Sequence, residues 1–245
     1  MAPLRALRPQ RHASALCSPA IRSGSAHAEG LLEGSDRMTH RRPAVVVLAA
    51  GRGMRFTGLG HKLAQRLGAG EDALADTVLA RTVAHALATQ LRVVVVTTAA
   101  LAPCLHDLVA ARDVLVLPEL DSQGRASPVG MGHSIAAGVS ASGDADGWLI
   151  VPADMPLLQA SSILAVAQAL ESFPVAYAQH RGRQGHPVGF SAELFSELVD
   201  LHGDEGARRI VARYPSQAVE LDDPGVLLDV DTVEDLQRLK TQVAR

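Results

Sequence analysis

Aromatic residues are scarce, at 3% of the 245-residue chain. The sequence therefore has little with which to stack the bases of a single-stranded nucleic acid. A formal net charge of -3 gives no long-range attraction to nucleic acid or to an anionic membrane. Any phosphate has to be gripped locally, by a few cations and backbone amides. There are two cysteines, Cys17 and Cys104, and neither belongs to a CxxC pair. That removes a zinc motif and a disulfide framework, and a reducing cytoplasm is the simple reading. No apolar run reaches the length of a membrane span. No sustained apolar stretch near the N-terminus marks a secretory signal. There is no internal repeat, and the absence of Gly-Lys-Ser/Thr rules out a Walker A loop.

What is present is a large apolar fraction, 47%, drawn mostly from Ala, Val and Leu. This suits buried parallel strands covered by helices. The first 42 residues carry Arg5, Arg8, Arg11, Arg22, Arg37, Arg41 and Arg42 with few acids. They read as a disordered leader or an over-extended start, with Met38 just before the first strand-like run. Residues 43–245 are expected to form one domain. Short, non-alternating apolar runs at 44–48, 92–96, 114–117 and 148–151 predict strands buried on both faces. Helical spacing at 76–90, 101–111, 134–139 and from Ile163 to Leu170 alternates with them. Later elements are shorter: strands at 175–178 and 188–190 around a turn at Arg181-Gly182, and helices at 193–199 and 205–213, the second capped by Asp204. A last strand is expected at 226–230, before a helix capped by Thr232. This alternation predicts an α/β fold, a mostly parallel sheet with helices on both faces. Ligands of such sheets bind beyond the carboxyl ends of the strands.

Five segments at those ends carry chemistry. The first is Leu48-Ala49-Ala50-Gly51-Arg52-Gly53-Met54-Arg55-Phe56, with Lys62 beyond. Its small residues let backbone amides approach a ligand, and Arg55 and Lys62 add charge, a combination suited to a triphosphate. It can equally be a tight turn with two solvated cations. Phe56 stands where a dinucleotide fingerprint has its third glycine. The second segment, Pro152-Ala153-Asp154-Met155-Pro156, sets one carboxylate at a strand end between stiffening prolines, as a magnesium ligand or a helix cap. In the third, Asp229 and Asp231 alternate with apolar residues and can share one face, where they repel unless a cation lies between them. Asp222 and Asp223 before them read as a solvated turn. The fourth, Gly130-Met131-Gly132-His133-Ser134, feeds a helix start, where free amides can bind an anion or a base edge, or Ser134 can cap the helix. In the fifth, His186 lies in a polar turn before an apolar strand. Arg208 sits within a helix, free to reach phosphate or to pair with an acid.

In this order and spacing the segments resemble the nucleotidyltransferases of molybdenum cofactor biosynthesis, most closely the molybdenum cofactor cytidylyltransferases. The likeness rests on Leu48-Ala49-Ala50-Gly51-x-x-x-Arg55 followed by Lys62, on Asp154-Met155-Pro156, on Gly185-His186-Pro187 and on Leu228-Asp229-Val230-Asp231-Thr232. It runs from about Pro43 to Leu239. Phe56-Thr57-Gly58 replaces the usual Met-Gly, and the segment 67–74 is longer than a compact member needs. The resemblance implies a Rossmann-like domain that transfers CMP from CTP to molybdopterin, already loaded with molybdenum, with release of pyrophosphate. It implies Mg2+ held by Asp154 and Asp229 with Asp231 beside them, and a catalytic pair, Arg55 and Lys62. Leu48, Ala49, Ala50, Gly51, Gly53, Gly130 and Ser134 would meet the nucleotide, and His186 and Arg208 the acceptor. A monomer serving an apoenzyme of the xanthine dehydrogenase type is expected. A guanylyltransferase, another small-molecule nucleotidyltransferase and a non-catalytic cofactor chaperone remain open alternatives.

Overall fold

The computed structural model describes residues 42–51, 53, 55–58, 60–68, 76–118 and 130–243. The expected leader apart from Arg42, Cys17, most of the long segment 67–74 and the loop 121–129 lie outside the described residues.

The apolar runs form strands as their composition dictates. β1 (Ala44–Ala49) is the most deeply buried, flanked by β2 (Arg92–Thr98) and β4 (Gly147–Pro152). β3 (Val114–Leu117) lies at one edge, and β5 (Val175–His180), β6 (Arg183–Ser191) and β7 (Ser216–Glu220) extend the other side. The seven strands are ordered β3-β2-β1-β4-β6-β5-β7. All pairings are parallel except those of β6, which runs against both β4 and β5.

Helices α1 (Val78–Ala88), α2 (Met131–Ala141), α3 (Ala160–Ala169) and α6 (Val233–Val243) cover the sheet, with short α4 (Phe195–Val199) and α5 (Arg208–Arg213). Successive β1 residues point to opposite faces. Val45, Val47 and Ala49 pack with α1, α3 and α6 residues such as Leu79, Ile163 and Leu236, whereas Ala44 and Val46 pack with Ile135, Val139 and Leu198 of α2 and α4. The mostly parallel sheet with helices on both faces is thus present.

Several local expectations fail for identifiable reasons. Residues 101–111 are not an α-helix. They make 3-10 turns at Ala102–Leu105 and Ala111–Asp113, with Pro103 in the first. Leu101, Leu105 and Val109 are all buried, and their spacing of four mimics a helix. The strand expected at 226–230 is instead a 3-10 turn, Pro224–Leu227, and the sheet's last place is taken by β7, whose mixed edge sequence carries little apolar signal. Asp204 does not cap α5, which starts after Ala207. Ser134 is not a cap either: it lies inside α2, and its Oγ donates to Gly130 O at 3.3 Å. Thr232 does cap α6, accepting from Asp235 N–H at 3.1 Å.

Asp223 is the largest correction. It is 4% exposed rather than solvated. Its carboxylate accepts from Gln159 N at 3.1 Å, Ser162 Oγ at 2.7 Å and Gly225 N at 2.8 Å. The start of α3 is therefore capped from a remote segment, since Gln159 supplies no side-chain cap of its own. Asp223→Ala leaves these donors unanswered in a buried place. It should lower unfolding free energy by about 3 kcal/mol, read from the urea midpoint.

Candidate active site

Two strand ends and one returning segment build the site. β1 and β4 are neighbours in parallel register, Leu48 opposite Pro152, so the residues following each emerge side by side. Ala153 N–H continues the pairing by donating to Leu48 O at 3.1 Å. Asp154 follows directly, and its own carbonyl accepts from Val230 N–H at 2.9 Å. That bond brings the 229–231 segment to the end of β4. Close backbone approach holds the segment there: a Cβ at Gly225 would overlap the Leu157 carbonyl, and one at Gly185 the Val226 carbonyl.

The carboxylates of Asp154, Asp229 and Asp231 offer oxygens that all lie within 4.8 Å of one another. Asp229 and Asp231 converge as expected, through a turn-and-coil path rather than a strand. Lys62 reaches into the cluster. Its Nζ donates to Asp154 Oδ2 at 2.6 Å and to Asp231 Oδ1 at 2.9 Å, and Arg55 Nη1 lies 2.8 Å from Asp231 Oδ2. Lys62 and Asp154 side chains are 11% and 17% exposed, against 78% for Arg55. The lysine is a partly buried member of the cluster and the arginine a solvent-facing one.

The electrostatics follow from this crowding. Burial alone would lower the Lys62 pKa, but the Asp154 and Asp231 carboxylates outweigh it and hold the ammonium's pKa above its ordinary value. At Asp229 the pull of Lys62 is the weaker influence. Burial first, then the charges of Asp231 and Asp154, raise its pKa. Asp154 Oδ1 is buried and without a hydrogen-bond partner. An orphaned carboxylate oxygen beside two further carboxylates is a donor set for a hard, oxygen-seeking cation, so the residues fit a divalent metal.

The remaining expected residues are placed around this centre. Leu48 and Ala49 end β1, and Ala50 is buried beyond it. Gly53 adopts φ +58°, a left-handed conformation suited to glycine, with its open face against Lys62 and His61. His186 is not in a turn. It lies within β6, where burial lowers its pKa, Asp154 opposes that and Arg208 adds to it. His186 thus feels the opposing charges of Asp154 and of Arg208, the exposed first residue of α5. Gly130 starts α2 in close contact with another loop, where a Cβ would overlap the Gly203 carbonyl, and Gly132 N–H donates to Gly203 O at 2.9 Å.

Two contributors escaped the sequence. Asp223 anchors the segment that carries Asp229 and Asp231; its signal was an Asp two residues before a glycine, the pattern of a local side-chain-to-backbone turn. His61 touches both the glycine loop and the lysine turn, and nothing in its position beside Lys62 distinguished it from a solvated histidine.

Over 117 residues the chain is 38% identical to the purine catabolism protein PucB of Bacillus subtilis, an alignment spanning 45% of this chain and 56% of that relative's length. The crystal structure of Rv0371c from Mycobacterium tuberculosis superposes with a TM-score of 0.67 at 26% identity, covering 83% of this chain and 100% of that one. The same protein in complex with manganese gives a TM-score of 0.61 at 24% identity, over 82% and 98% of the two chains. Molybdopterin-guanine dinucleotide biosynthesis protein A from Archaeoglobus fulgidus shares the fold, with a TM-score of 0.59 at 15% identity over 82% and 98%. Among the described residues no helix is long and apolar enough to cross a membrane. The MobA-like NTP transferase domain matches residues 45–219, most of the chain from β1 to β7, and the protein belongs to that nucleotidyltransferase family.

Proposed function

We propose that residues 43–245 form a magnesium-dependent cytidylyltransferase, which transfers CMP from CTP to molybdopterin, with or without molybdenum, and releases pyrophosphate. The observation that carries this reading is the convergence of Arg55, Lys62, Asp154, Asp229 and Asp231 at the carboxyl ends of β1 and β4. Rv0371c, which shares the fold, forms a complex with manganese, in keeping with use of a divalent ion. The purine catabolism protein PucB fits an acceptor destined for an apoenzyme of the xanthine dehydrogenase type.

Asp154, Asp229 and Asp231 would hold the metal, which when bound neutralises triphosphate charge. Leu48, Ala49, Ala50, Gly51 and Gly53 cradle the nucleotide, with Gly130 and Ser134 toward the base. A phosphate oxygen of the acceptor forms a bond to the α-phosphorus in line as the α–β anhydride bond breaks. Arg55 and Lys62 stabilise charge on the transferred group and on the departing pyrophosphate. The acceptor oxygen is already anionic, so no strong general base is required. His186 and Arg208 orient the acceptor.

The test is pyrophosphate release by the purified chain with magnesium and molybdopterin, comparing CTP, GTP, ATP and UTP. Release with CTP is expected. Release with GTP alone would make it a guanylyltransferase, and tight molybdopterin binding without release from any nucleotide would make it a carrier.

A further inference from the structure

The lysine turn is fastened to the start of α1: Val78 N–H donates to Gln65 O at 3.0 Å, and Leu67 N–H to Asp76 O at 2.8 Å. Within the glycine loop, Phe56 N–H donates to Gly53 O at 2.9 Å, and Arg55 reaches outward to Asp231. His61 joins the two. Its Nδ1 accepts from Leu63 N–H at 3.2 Å and so caps the short 3-10 helix Lys62–Ala64. Its Nε2 lies 3.0 Å from Gly51 O. A nitrogen that accepts from an amide carries no proton, so the ring's single proton is on Nε2 and is donated to the Gly51 carbonyl. Both contacts are met by one tautomer of the neutral ring.

A carbonyl oxygen facing a polyphosphate repels it, whereas amide N–H groups attract it. Engaging the Gly51 carbonyl on His61 removes one repulsive dipole and fixes the loop relative to Lys62. Gly53 borders the same contact, its Cβ position lying at ordinary packing distance from the Lys62 stem, 3.5 Å, and from His61 Nε2, 3.6 Å.

We infer that His61 is a positioning residue for triphosphate binding, tethering the glycine loop to the lysine turn through the Gly51 carbonyl. The inference rests on the nucleotidyltransferase reading above. It acts on the phosphates and not on the base or the acceptor.

Calorimetric titration of the intact protein with inorganic pyrophosphate, CTP and GTP, each with magnesium, tests it. His61→Asn keeps a good capping acceptor for Leu63 N–H but is too short to reach Gly51 O. His61→Gln is long enough to restore a donor there. In His61→Asn the dissociation constants for pyrophosphate and for the nucleotides that bind should rise by one common factor, roughly two- to tenfold, the worth of a single hydrogen bond. The thermal midpoint should fall by no more than the worth of that one bond, the KM for the acceptor should not move, and His61→Gln should recover most of the affinity. Equal affinities in wild type and His61→Asn would overturn the tether while leaving the transferase reading intact. So would a factor that differs between pyrophosphate and the nucleotides, or failure of His61→Gln to recover. If the wild type binds neither pyrophosphate nor any nucleotide, both the tether and the transferase reading fall.

Discussion

Asp154→Asn lowers turnover by roughly 10²- to 10³-fold, with little change in thermal midpoint. The substitution keeps the side chain's size and leaves an amide oxygen to accept from Lys62, whose second contact, to Asp231 at 2.9 Å, is untouched. What is lost is one negative charge at the strand end and the unpartnered Oδ1, which together give a divalent cation its best-fixed ligand. Steady-state pyrophosphate release and a melting curve on the same preparation check this. Asp144→Asn is the matched control, because Asp144 is an exposed partner of Arg92 that precedes β4, at the opposite end of that strand from Asp154, and should leave turnover unchanged. Near-normal turnover in Asp154→Asn would remove the metal centre from the reaction.

Lys62→Met produces a comparable loss of turnover and a second, distinct effect. The ammonium is the partly buried cation among three carboxylates. Its removal leaves Arg55 to balance Asp231 from the solvent side. Removing one partner of a largely desolvated ion pair costs roughly 3 kcal/mol, so the variant should unfold earlier in chelator. Added magnesium or manganese should restore part of that stability, because a cation can occupy the freed carboxylate oxygens. The sign of the pH dependence follows from the raised lysine pKa. The ion-pair stabilisation is fully present below the unfolded lysine's pKa and is lost only as pH rises through the still higher folded value. The gap between wild type and variant should therefore be constant across neutral pH and close in strong alkali. Denaturant curves with and without metal across that range read both effects. A Lys62→Met protein as stable as wild type in chelator would show that the ammonium carries no such role.

The central strands and the acidic residues of the site were legible in the sequence because each is encoded locally. A run such as Ala44–Ala49 can be stable only when buried on both faces, and Asp154 lies immediately beyond the last residues of such a strand. What escaped depends on contacts between distant segments. Asp223 looks solvated until α3 is placed against it, 61 residues away along the chain at Ser162. β7 acquires its strand character from β5, not from its own polar sequence. The alternation of Asp229 and Asp231 suggested a strand, and the carboxylates do converge, but the backbone is fixed by Val230 N–H on Asp154 O. His61 gained meaning only when the chain closed Gly51 back onto it.

The reversed strand has a consequence for how such a protein can diversify. Because β6 opposes β4, with Trp148 against Phe190 and Ile150 against Val188, its later residues lie deep in the sheet and its earlier ones reach the rim where Asp154 stands. The β5–β6 hairpin therefore meets the centre with its tip, while the loops after β1 meet it from the neighbouring strand. Mutational drift at Arg183 and Gln184, the exposed residues before Gly185, can reshape one wall beside the centre without disturbing the packing of Phe190 or the glycine loop. The fold separates inheritance of the two walls: one varies with a hairpin tip and the other with a strand-end loop, and the carboxylates between them can stay fixed through either change.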